Sequence, residues 1–541
     1  MPITLIEEND MDSNQKLKKV CLELAYAILN LNLKKEKVAK LKKEVCRKYK
    51  LQKIPSNADI LSYFKLYGKD DEKYGRLREI LRLKPVRTIS GVAVVSVMTS
   101  PAPCPHGKCL PCPGGVERNT PQSYIGLEPA AMRGRQHNYN AFKQVTARLR
   151  ELKEIGHEID KVEIIVMGGT FPAREKEYKE NFMLSIFNAL NSFDRNVKLE
   201  NDLEKAKKKN EKAKARCIGI TFETRPDYAK QEHIVEMLKF GGTKVELGVQ
   251  SIYNDVLEFI QRGHDVEETI KATRLLKDSA FKVGYHVMPG LPKSDFKRDL
   301  RMFKEIFENE NFKPDYLKIY PTLVVEGTKL YEMWERREYK PYTTDEVVEL
   351  IAKAKKHFSE WVRVQRIQRD IPINHAIGLD KGNIRQLVKQ RLKELGYGCR
   401  CIRCREVGHL KVPADEINKA EFVVRKYKAS KGREYFISYE IPDYDALVGF
   451  LRLRSPHKPF IKALEDSALI RELHVYGKAI AVGKRSDAFQ HKGFGERLLR
   501  EAEEIAKEKY DKISVISGVG VRDYYRRFGY RKNFEYMVKK I

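Results

Sequence analysis

Acid is what this sequence is short of. Its 541 residues carry 75 Asp+Glu against 104 Lys+Arg, a formal net charge of +29. Such an excess favours a polyanionic partner, because lysine and arginine placed on phosphates release condensed counterions. A Lys/Glu-rich, heat-adapted surface would explain many charges of both signs but not the imbalance. Long apolar runs are missing too, and none approaches the roughly 18 residues a membrane span needs. The opening MPITLIEENDMD is acidic, unlike a signal peptide, so a cytoplasmic protein with no membrane partner is expected. Cysteine is scarce and odd in number, nine in all, which argues against a disulfide framework. No internal repeat is present.

What is there can bury sizeable cores: 42% of residues are hydrophobic and 33% charged, and the length points to three or four domains. Residues 13 to about 85 alternate apolar and basic positions at helical spacing, for example Leu17, Val20, Cys21, Leu24 and Ala25. Met1–Pro85 holds 20 Lys+Arg and 12 Asp+Glu, a net +8, which predicts a small helical domain with a basic face. From about 86 to 370, Val/Ile-rich runs alternate with amphipathic stretches, the pattern of buried parallel strands in a β/α sheet or partial barrel. The runs are GVAVVSVM, VEIIVMGGT, RCIGITFET, KVELGVQS, FKVGYHVMPG and YLKIYPT. The charged stretch Lys198–Arg216 reads as an exposed helix or loop. A cysteine-bearing linker follows, and a mixed α/β pattern resumes near 420.

Six of the cysteines fall into two triplets, which predict metal sites. Cys21, Cys46 and Cys217 stand alone. SPAPCPHGKCLPCPGG places Cys104, Cys109 and Cys112 directly after the first expected strand. Three thiolates on one loop can hold three irons of a four-iron, four-sulfur cluster and leave the fourth iron open for S-adenosylmethionine. Zinc, with His106 as fourth ligand, is the competing reading. The second triplet, Cys399, Cys401 and Cys404 in GYGCRCIRCREVGH, suits structural zinc, with His409 or a distant side chain as the fourth ligand.

Strand ends carry further polar residues in chain order: Gly168, Gly169 and Thr170, then Glu223 and Arg225, Gln250, and His286. Near the C-terminus the element Gln490, Gly493, Gly495 opens a long amphipathic helix. Glycines there let backbone N–H groups approach a pyrophosphate, assisted by the helix dipole and by Lys492.

These motifs carry a family resemblance. Residues 86–370 resemble the radical S-adenosylmethionine superfamily, with the first cysteine gap one residue longer than its commonest form. The closer resemblance is to the catalytic subunit of Elongator, in an archaeal-type form, whose members also lengthen that gap. The order ELHV, Q-x-x-G-x-G helix, strand, RDYYRRFGY resembles the GNAT acetyltransferases. The resemblance implies that Gly168, Gly169 and Thr170 meet the methionine moiety, with Glu223, Arg225, Gln250 and His286 completing that cofactor site. It implies that Lys161 contacts acetyl-CoA and that zinc occupies the second triplet. It also implies that Glu472, Leu473, His474 and Val475 meet the thioester end of acetyl-CoA, and that Gln490, Gly493, Phe494, Gly495 and Glu496 meet its pyrophosphate. Tyr525 takes the place of the tyrosine that protonates the leaving thiolate, with His474 beside it as a second catalytic candidate; Tyr524 reads as core.

The expected fold class is therefore α/β and multi-domain: a partial β/α, TIM-like barrel followed by a GNAT α/β domain, with a small N-terminal helical domain. The expected boundaries are 1–85, 86–370, 371–419 and 420–541. The resemblance implies a tRNA carboxymethyluridine synthase. In it a 5′-deoxyadenosyl radical activates the methyl group of acetyl-CoA for attachment to carbon 5 of the wobble uridine, the base being splayed from the anticodon stem-loop. A homodimer is a further expectation. Two other classes compete: a protein lysine acetyltransferase with a structural iron–sulfur domain, and a non-catalytic tRNA-binding scaffold.

Overall fold

The structure is a computed structural model that describes residues 13–51, 53–83, 88, 90–410, 412–413, 415–476 and 493–541. It divides into two compact units, one within Met1–Thr88 that takes in Ala147–Ile159, the other formed by the rest of the chain.

Among the described residues, the N-terminal stretch of the first unit forms four helices: α1 (Ser13–Asn30), α2 (Lys35–Lys48), α3 (Asn57–Tyr67) and α4 (Asp71–Leu81). Local sequence sets their starts. Ser56 and Asp59 form a reciprocal capping box on α3, and the Asp70 carboxylate accepts from Lys73 N–H at the head of α4. Val20, Leu24, Ile28, Ile60, Phe64, Leu77 and Leu81 meet in one core, the face the helical periodicity predicts.

The second unit holds two seven-stranded sheets. In the first, β1 (Ala93–Met98), β2 (Lys161–Met167), β3 (Arg216–Thr224), β4 (Lys244–Gln250), β5 (Lys282–Val287), β6 (Tyr316–Ile319) and β7 (Arg363–Arg366) lie in chain order, all parallel. This is the partial barrel that the apolar runs predict, with one strand more. β7 reads RVQR, too short and polar to stand out in the sequence.

The second sheet has the order 13-14-12-11-10-9-8. It comprises β8 (Glu421–Ala429), β9 (Gly432–Ile441), β10 (Ala446–Ser455), β11 (Ser467–Val475), β12 (Lys512–Val515), β13 (Arg531–Asn533) and β14 (Tyr536–Lys540). All its pairs are antiparallel except β11 with β12. The amphipathic helix Phe494–Lys507 packs against it through Phe494, Leu498, Leu499, Ala502 and Ala506.

Charge joins the two sheets. Asp315, just before β6, receives both terminal nitrogens of Arg471 from β11 at 2.7 and 2.6 Å. Arg471 also donates to Glu434 of β9, which accepts from Arg454 at 2.8 Å; Arg454 reaches back to Asp278 at 2.6 Å. Arg452 pairs with Glu472 at 2.8 Å, and Lys277 lies 3.8 Å from Asp315 and 3.6 Å from Glu434. Asp278, Asp315, Glu434 and Glu472 thus face Lys277, Arg452, Arg454 and Arg471, equal numbers of each sign and nearly all fully buried. The Lys198–Arg216 stretch is exposed as expected along Glu204, Lys205, Lys208 and Lys212, but its buried face belongs to a second seam. Lys207 is fully buried on the helix Leu203–Asn210 and bonds Glu535 at 3.0 Å, because the second sheet covers it.

Burial pushes the Lys277 ammonium down to about 8, against the pull of Asp315 and Glu434 and aided by Arg471 and Arg454. The unfolded chain then binds a proton that the folded chain lacks between about pH 8 and 10.5, so this group makes folding more favourable as pH rises through that window. Denaturant titrations should show the parent gaining on the order of 1–3 kcal/mol on Lys277→Met between pH 7.5 and 10. Parallel curves would place the proton elsewhere.

Candidate active site

One cavity opens at the C-terminal ends of β2 to β7, where parallel β/α folds gather their functional groups. Cys104, Gln122, Tyr124, Gly169, Thr170, Glu223, Arg225, Glu246, Gln250, Arg262, His286, Tyr320, Arg366 and Arg369 border it. The sequence-predicted residues Gly169, Thr170, Glu223, Arg225, Gln250 and His286 therefore come together, with Cys104 of the first triplet. Gly168 stands directly behind them with φ +117, and a Cβ there would lie 2.3 Å from Thr99 Oγ1. Only glycine lets the chain turn there without that collision.

Gln250 is strained in a way that fits a ligand site. It holds φ +65 at the end of β4, and its buried Oε1 has no hydrogen-bond partner. Arg225 is committed to structure: it forms a bidentate pair with Asp227 and donates to the carbonyls of Arg262 and Gly263. Lys161, expected at acetyl-CoA, opens β2 about 20 Å of strand before Met167, at the opposite end of the sheet from this cavity.

Beneath the cavity the concave face is ionic, where barrels of this kind usually stack Val, Ile and Leu. Lys318 bonds Glu223 at 2.8 Å and also Glu246; His286 Nε2 lies 2.8 Å from Glu246. Lys244 follows, 3.5 Å from Glu246 and 2.8 Å from Glu163. Tyr316 then donates to Glu472 on β11. Burial alone would raise the Glu246 carboxyl, but Lys318, Lys244 and the His286 bond hold it well below the usual carboxylate range. Tyr124 donates to Glu223 at 3.1 Å. Sequence reasoning passed over Glu246, Lys318 and Tyr124. The first two did leave a signal: KVELGVQ and YLKIYP put charged residues at period two inside otherwise apolar strands.

The two cysteine triplets differ in spacing. Cys399, Cys401 and Cys404 have sulfurs within 4.8 Å of one another, and Cys104, Cys109 and Cys112 do not form such a group. One zinc with bonds of about 2.3 Å cannot hold sulfurs more than about 4.6 Å apart, so the second triplet fits a single ion and the first fits a multi-iron cluster better. His106 Nε2 lies 2.9 Å from Cys109 Sγ. At the second triplet the Cys401 thiol is pulled well down by hydrogen bonds from Cys399 and Cys404. Lys355, almost fully buried, lies 3.2 Å from Cys399 Sγ. His409 is 3.8 Å from Glu406 and outside the sulfur group, so among the described residues no fourth His, Cys, Asp or Glu completes it.

In the C-terminal sheet, β12 pairs with β11 only over Ser467–Ile470. Beyond that point β11 stays paired with β10 through Val475 but no longer with β12, so the edge along Glu472, Leu473, His474 and Val475 faces a cleft between splayed strands. Val475 and Tyr524 both face Gly495, whose added Cβ would stand 3.8 Å from Val475 Cγ2 and 2.9 Å from the Tyr524 hydroxyl. Gly493, φ +80, starts the helix Phe494–Lys507. Phe494 is buried against Tyr439, and Glu496 pairs with Arg500 at 2.5 Å. The expectation for Gln490 and Lys492 lies outside the described residues. Tyr525 is buried in the core against Tyr530, and it is the neighbouring Tyr524 whose hydroxyl faces the cleft. His474 stacks on Phe450 with ring centroids 6.2 Å apart and lies tilted against Tyr476 at 4.4 Å, with burial lowering its ring pKa.

The ELP3 N-terminal domain model matches residues 17–89, the radical SAM superfamily 102–303, the radical SAM C-terminal domain 314–394 and the GNAT acetyltransferase family 405–530. The chain is similar to the tRNA uridine(34) acetyltransferase of Methanocaldococcus jannaschii, 49% identical over 98% of this chain and 99% of the relative. It is similar to human Elongator complex protein 3, 44% identical over 93% of each. A solved structure of archaeal Methanocaldococcus infernus Elp3 with its N-terminus deleted superposes with TM-score 0.74 at 47% identity, over 84% of this chain and all of that one.

Gly495→Ala should leave the fold intact and raise the Kd for acetyl-CoA about tenfold or more, because the new methyl group displaces the Tyr524 hydroxyl from the cleft. Isothermal titration measures it; unchanged affinity would put the cofactor elsewhere.

Proposed function

This chain belongs to the family of Elongator complex protein 3 and the archaeal tRNA uridine(34) acetyltransferases, and from that premise we propose that it builds a carboxymethyl group on carbon 5 of the wobble uridine of tRNA. The observation that carries the proposal is one compact unit with a cysteine-edged cavity at one end of its parallel sheet and a splayed-strand cleft in the adjoining sheet. Cys104, Cys109 and Cys112 would hold a four-iron, four-sulfur cluster, which would supply the single electron that S-adenosylmethionine chemistry needs, so that the methyl group of acetyl-CoA would be activated before it is attached. That order makes chemical sense: carbon 5 is weakly nucleophilic, and ordinary acetyl transfer would join the wrong carbon.

The chain's own residues bind and orient. Backbone at Gly168 and Gly169 approaches the methionine end, and the unpartnered Gln250 oxygen accepts a donor from the same ligand. Tyr124 and Lys318 fix the Glu223 carboxylate at the cavity wall. Arg366 and Arg369 at the rim meet the phosphates beside a splayed uridine, as readers of single-stranded RNA require. In the cleft, N–H groups at the head of Phe494–Lys507 face the acetyl-CoA pyrophosphate, with Glu472 to Val475 along its thioester end. The hydroxyl nearest the helix start, that of Tyr524, protonates the leaving thiolate in this account, and Tyr525 buttresses it.

We assign a zinc ion to Cys399, Cys401 and Cys404, with Lys355 offsetting the thiolate charge. The basic helices before residue 86 hold tRNA phosphates, the barrel runs to about 370, and the acetyltransferase domain begins near 420. No described helix is long and apolar enough to cross a membrane; a cytoplasmic enzyme fits its substrate.

Anaerobic incubation of the reconstituted protein with unmodified tRNA, S-adenosylmethionine, acetyl-CoA and reductant should add carboxymethyl to uridine, read by nucleoside mass spectrometry. Cys109→Ala should abolish that product, and tRNA affinity should fall steeply with added salt. Peptide acetylation with no uridine product would favour a protein acetyltransferase instead.

A further inference from the structure

A second cavity, of about 430 Å³, lies where the two sheets meet, between the start of β3 and the segment that follows β12. The barrel contributes Arg216, and the other sheet's side contributes Gly520, Asp523, Tyr524, Arg526 and Arg527. It shares no residue with the cavity at the strand C-termini. An arginine of the barrel reaches it because the opposing chain is bare at that point: a Cβ on Gly520 would stand 2.5 Å from Arg216 Cβ.

The charges here do not balance. Arg526 is committed, pairing with Glu211 at 2.7 Å and with Asp523. Among the described residues Arg216 and Arg527 have no carboxylate partner, and the buried Nε of Arg216 has no hydrogen-bond partner at all. Lys161 stands beside Arg216 across the β2–β3 ladder. Burial lowers its ammonium against the pull of Asp160, and the Arg216 charge adds to that lowering. Arg527 is exposed, with its guanidinium carbon 5.2 Å from the centre of the Tyr524 ring. A guanidinium N–H taken from water without an acceptor is unfavourable, so the arrangement calls for an anion between the two arginines.

Which anion follows from the surroundings. Tyr524 borders this cavity, and its hydroxyl also faces Gly495 at the head of Phe494–Lys507, where the proposed function puts the pyrophosphate of acetyl-CoA. Acetyl-CoA carries one further phosphate, a monoester on the 3′ carbon of its ribose, next to the adenine. The cavity is large enough for a nucleoside-sized group, and guanidinium forks match the oxygens of a phosphate. An RNA backbone is the poorer fit, because the cavity lies at the opposite end of β3 from the one proposed for uridine. We propose that Arg216 and Arg527 hold the 3′-phosphate of coenzyme A, so that one ligand is gripped from both sheets. The contact is one of binding alone; no bond forms or breaks.

This subsite rests on acetyl-CoA lying in the splayed-strand cleft, and the test separates the two readings. Isothermal titration of the full chain with acetyl-CoA and with its 3′-dephospho form gives two dissociation constants and their ratio. The parent should bind the dephospho form about tenfold or more weakly. Arg527→Gln, at an exposed position, and Arg216→Gln should each bring the ratio towards one by weakening acetyl-CoA, and Arg216→Lys should restore part of it. A parent that binds both forms equally overturns the subsite and leaves acetyl-CoA in the cleft. A parent that binds neither form overturns the reading of the cleft, and the subsite with it. Equal binding of the two forms, together with weaker binding of tRNA by Arg216→Gln, overturns the subsite and gives the two arginines to an RNA backbone.

Discussion

The buried lattice around Asp315 and Arg471 is the constraint on which the rest of the structure depends. Eight charges, four of each sign, lie where the acetyltransferase-like sheet meets the N-terminal ends of β5 and β6. Burying such a set adds little net stability compared with a well-packed apolar seam. Removing one partner is another matter, because an uncompensated charge then remains inside, at roughly 3–5 kcal/mol. What the lattice contributes is registry: bidentate arginine pairs fix direction and distance in a way that methyl groups do not. With Lys207, Glu535, Arg522 and Glu211 along a second seam, it makes the two sheets one body.

That registry matters because the two chemistries lie at opposite ends of one sheet. The S-adenosylmethionine-type cavity sits above the strand C-termini, and β11 of the other sheet lies below the N-termini. Between them the concave face is filled by Glu163, Lys244, Glu246 and Lys318, paired in sequence down to Tyr316 and Glu472. A barrel interior made of ion pairs is a costly way to fill space. It nevertheless keeps Glu223 and His286 in place above and ties Glu472 in place below. On the proposed function, the acetyl-bearing end of the cofactor would meet polar groups held from the barrel side, and the seam would fix how those groups are presented.

Much of this was legible in the sequence, and for local reasons. Continuous Val/Ile runs mark buried parallel strands wherever they are long enough, and six of seven were. β7 escaped because RVQR carries no apolar run. Glycine at Gly168 and at Gly495 could be read from the backbone conformation or close approach that each position needs. Lys207 was misjudged because a Lys-rich helix looks solvated until the sheet that covers it is known, and its carboxylate partner Glu535 lies 328 residues away. The same blindness hid Glu246 and Lys318, whose partners come from other strands. Tyr524 and Tyr525 are adjacent, so which of them faces the cleft is set by the short helix Arg522–Arg526 and not by composition. His106 was visible as a ligand candidate. Its placement against Cys109, rather than as a fourth zinc ligand, needed the three-dimensional spacing of the sulfurs.

On the proposed function, the seam aligns the radical end of the molecule with the acetyl end. Asp278→Asn loosens it from the barrel side, weakening the bonds from Arg454 and from the His457 and Lys458 N–H groups without touching either cavity. The measurement is the number of 5′-deoxyadenosine molecules formed per uridine modified, in the same anaerobic reaction. If alignment is what the seam supplies, the variant keeps cleaving S-adenosylmethionine but wastes it, and the number rises about tenfold or more over the parent's. If the number stays at the parent's value while the variant's stability falls, the lattice serves folding alone and the account of alignment is wrong.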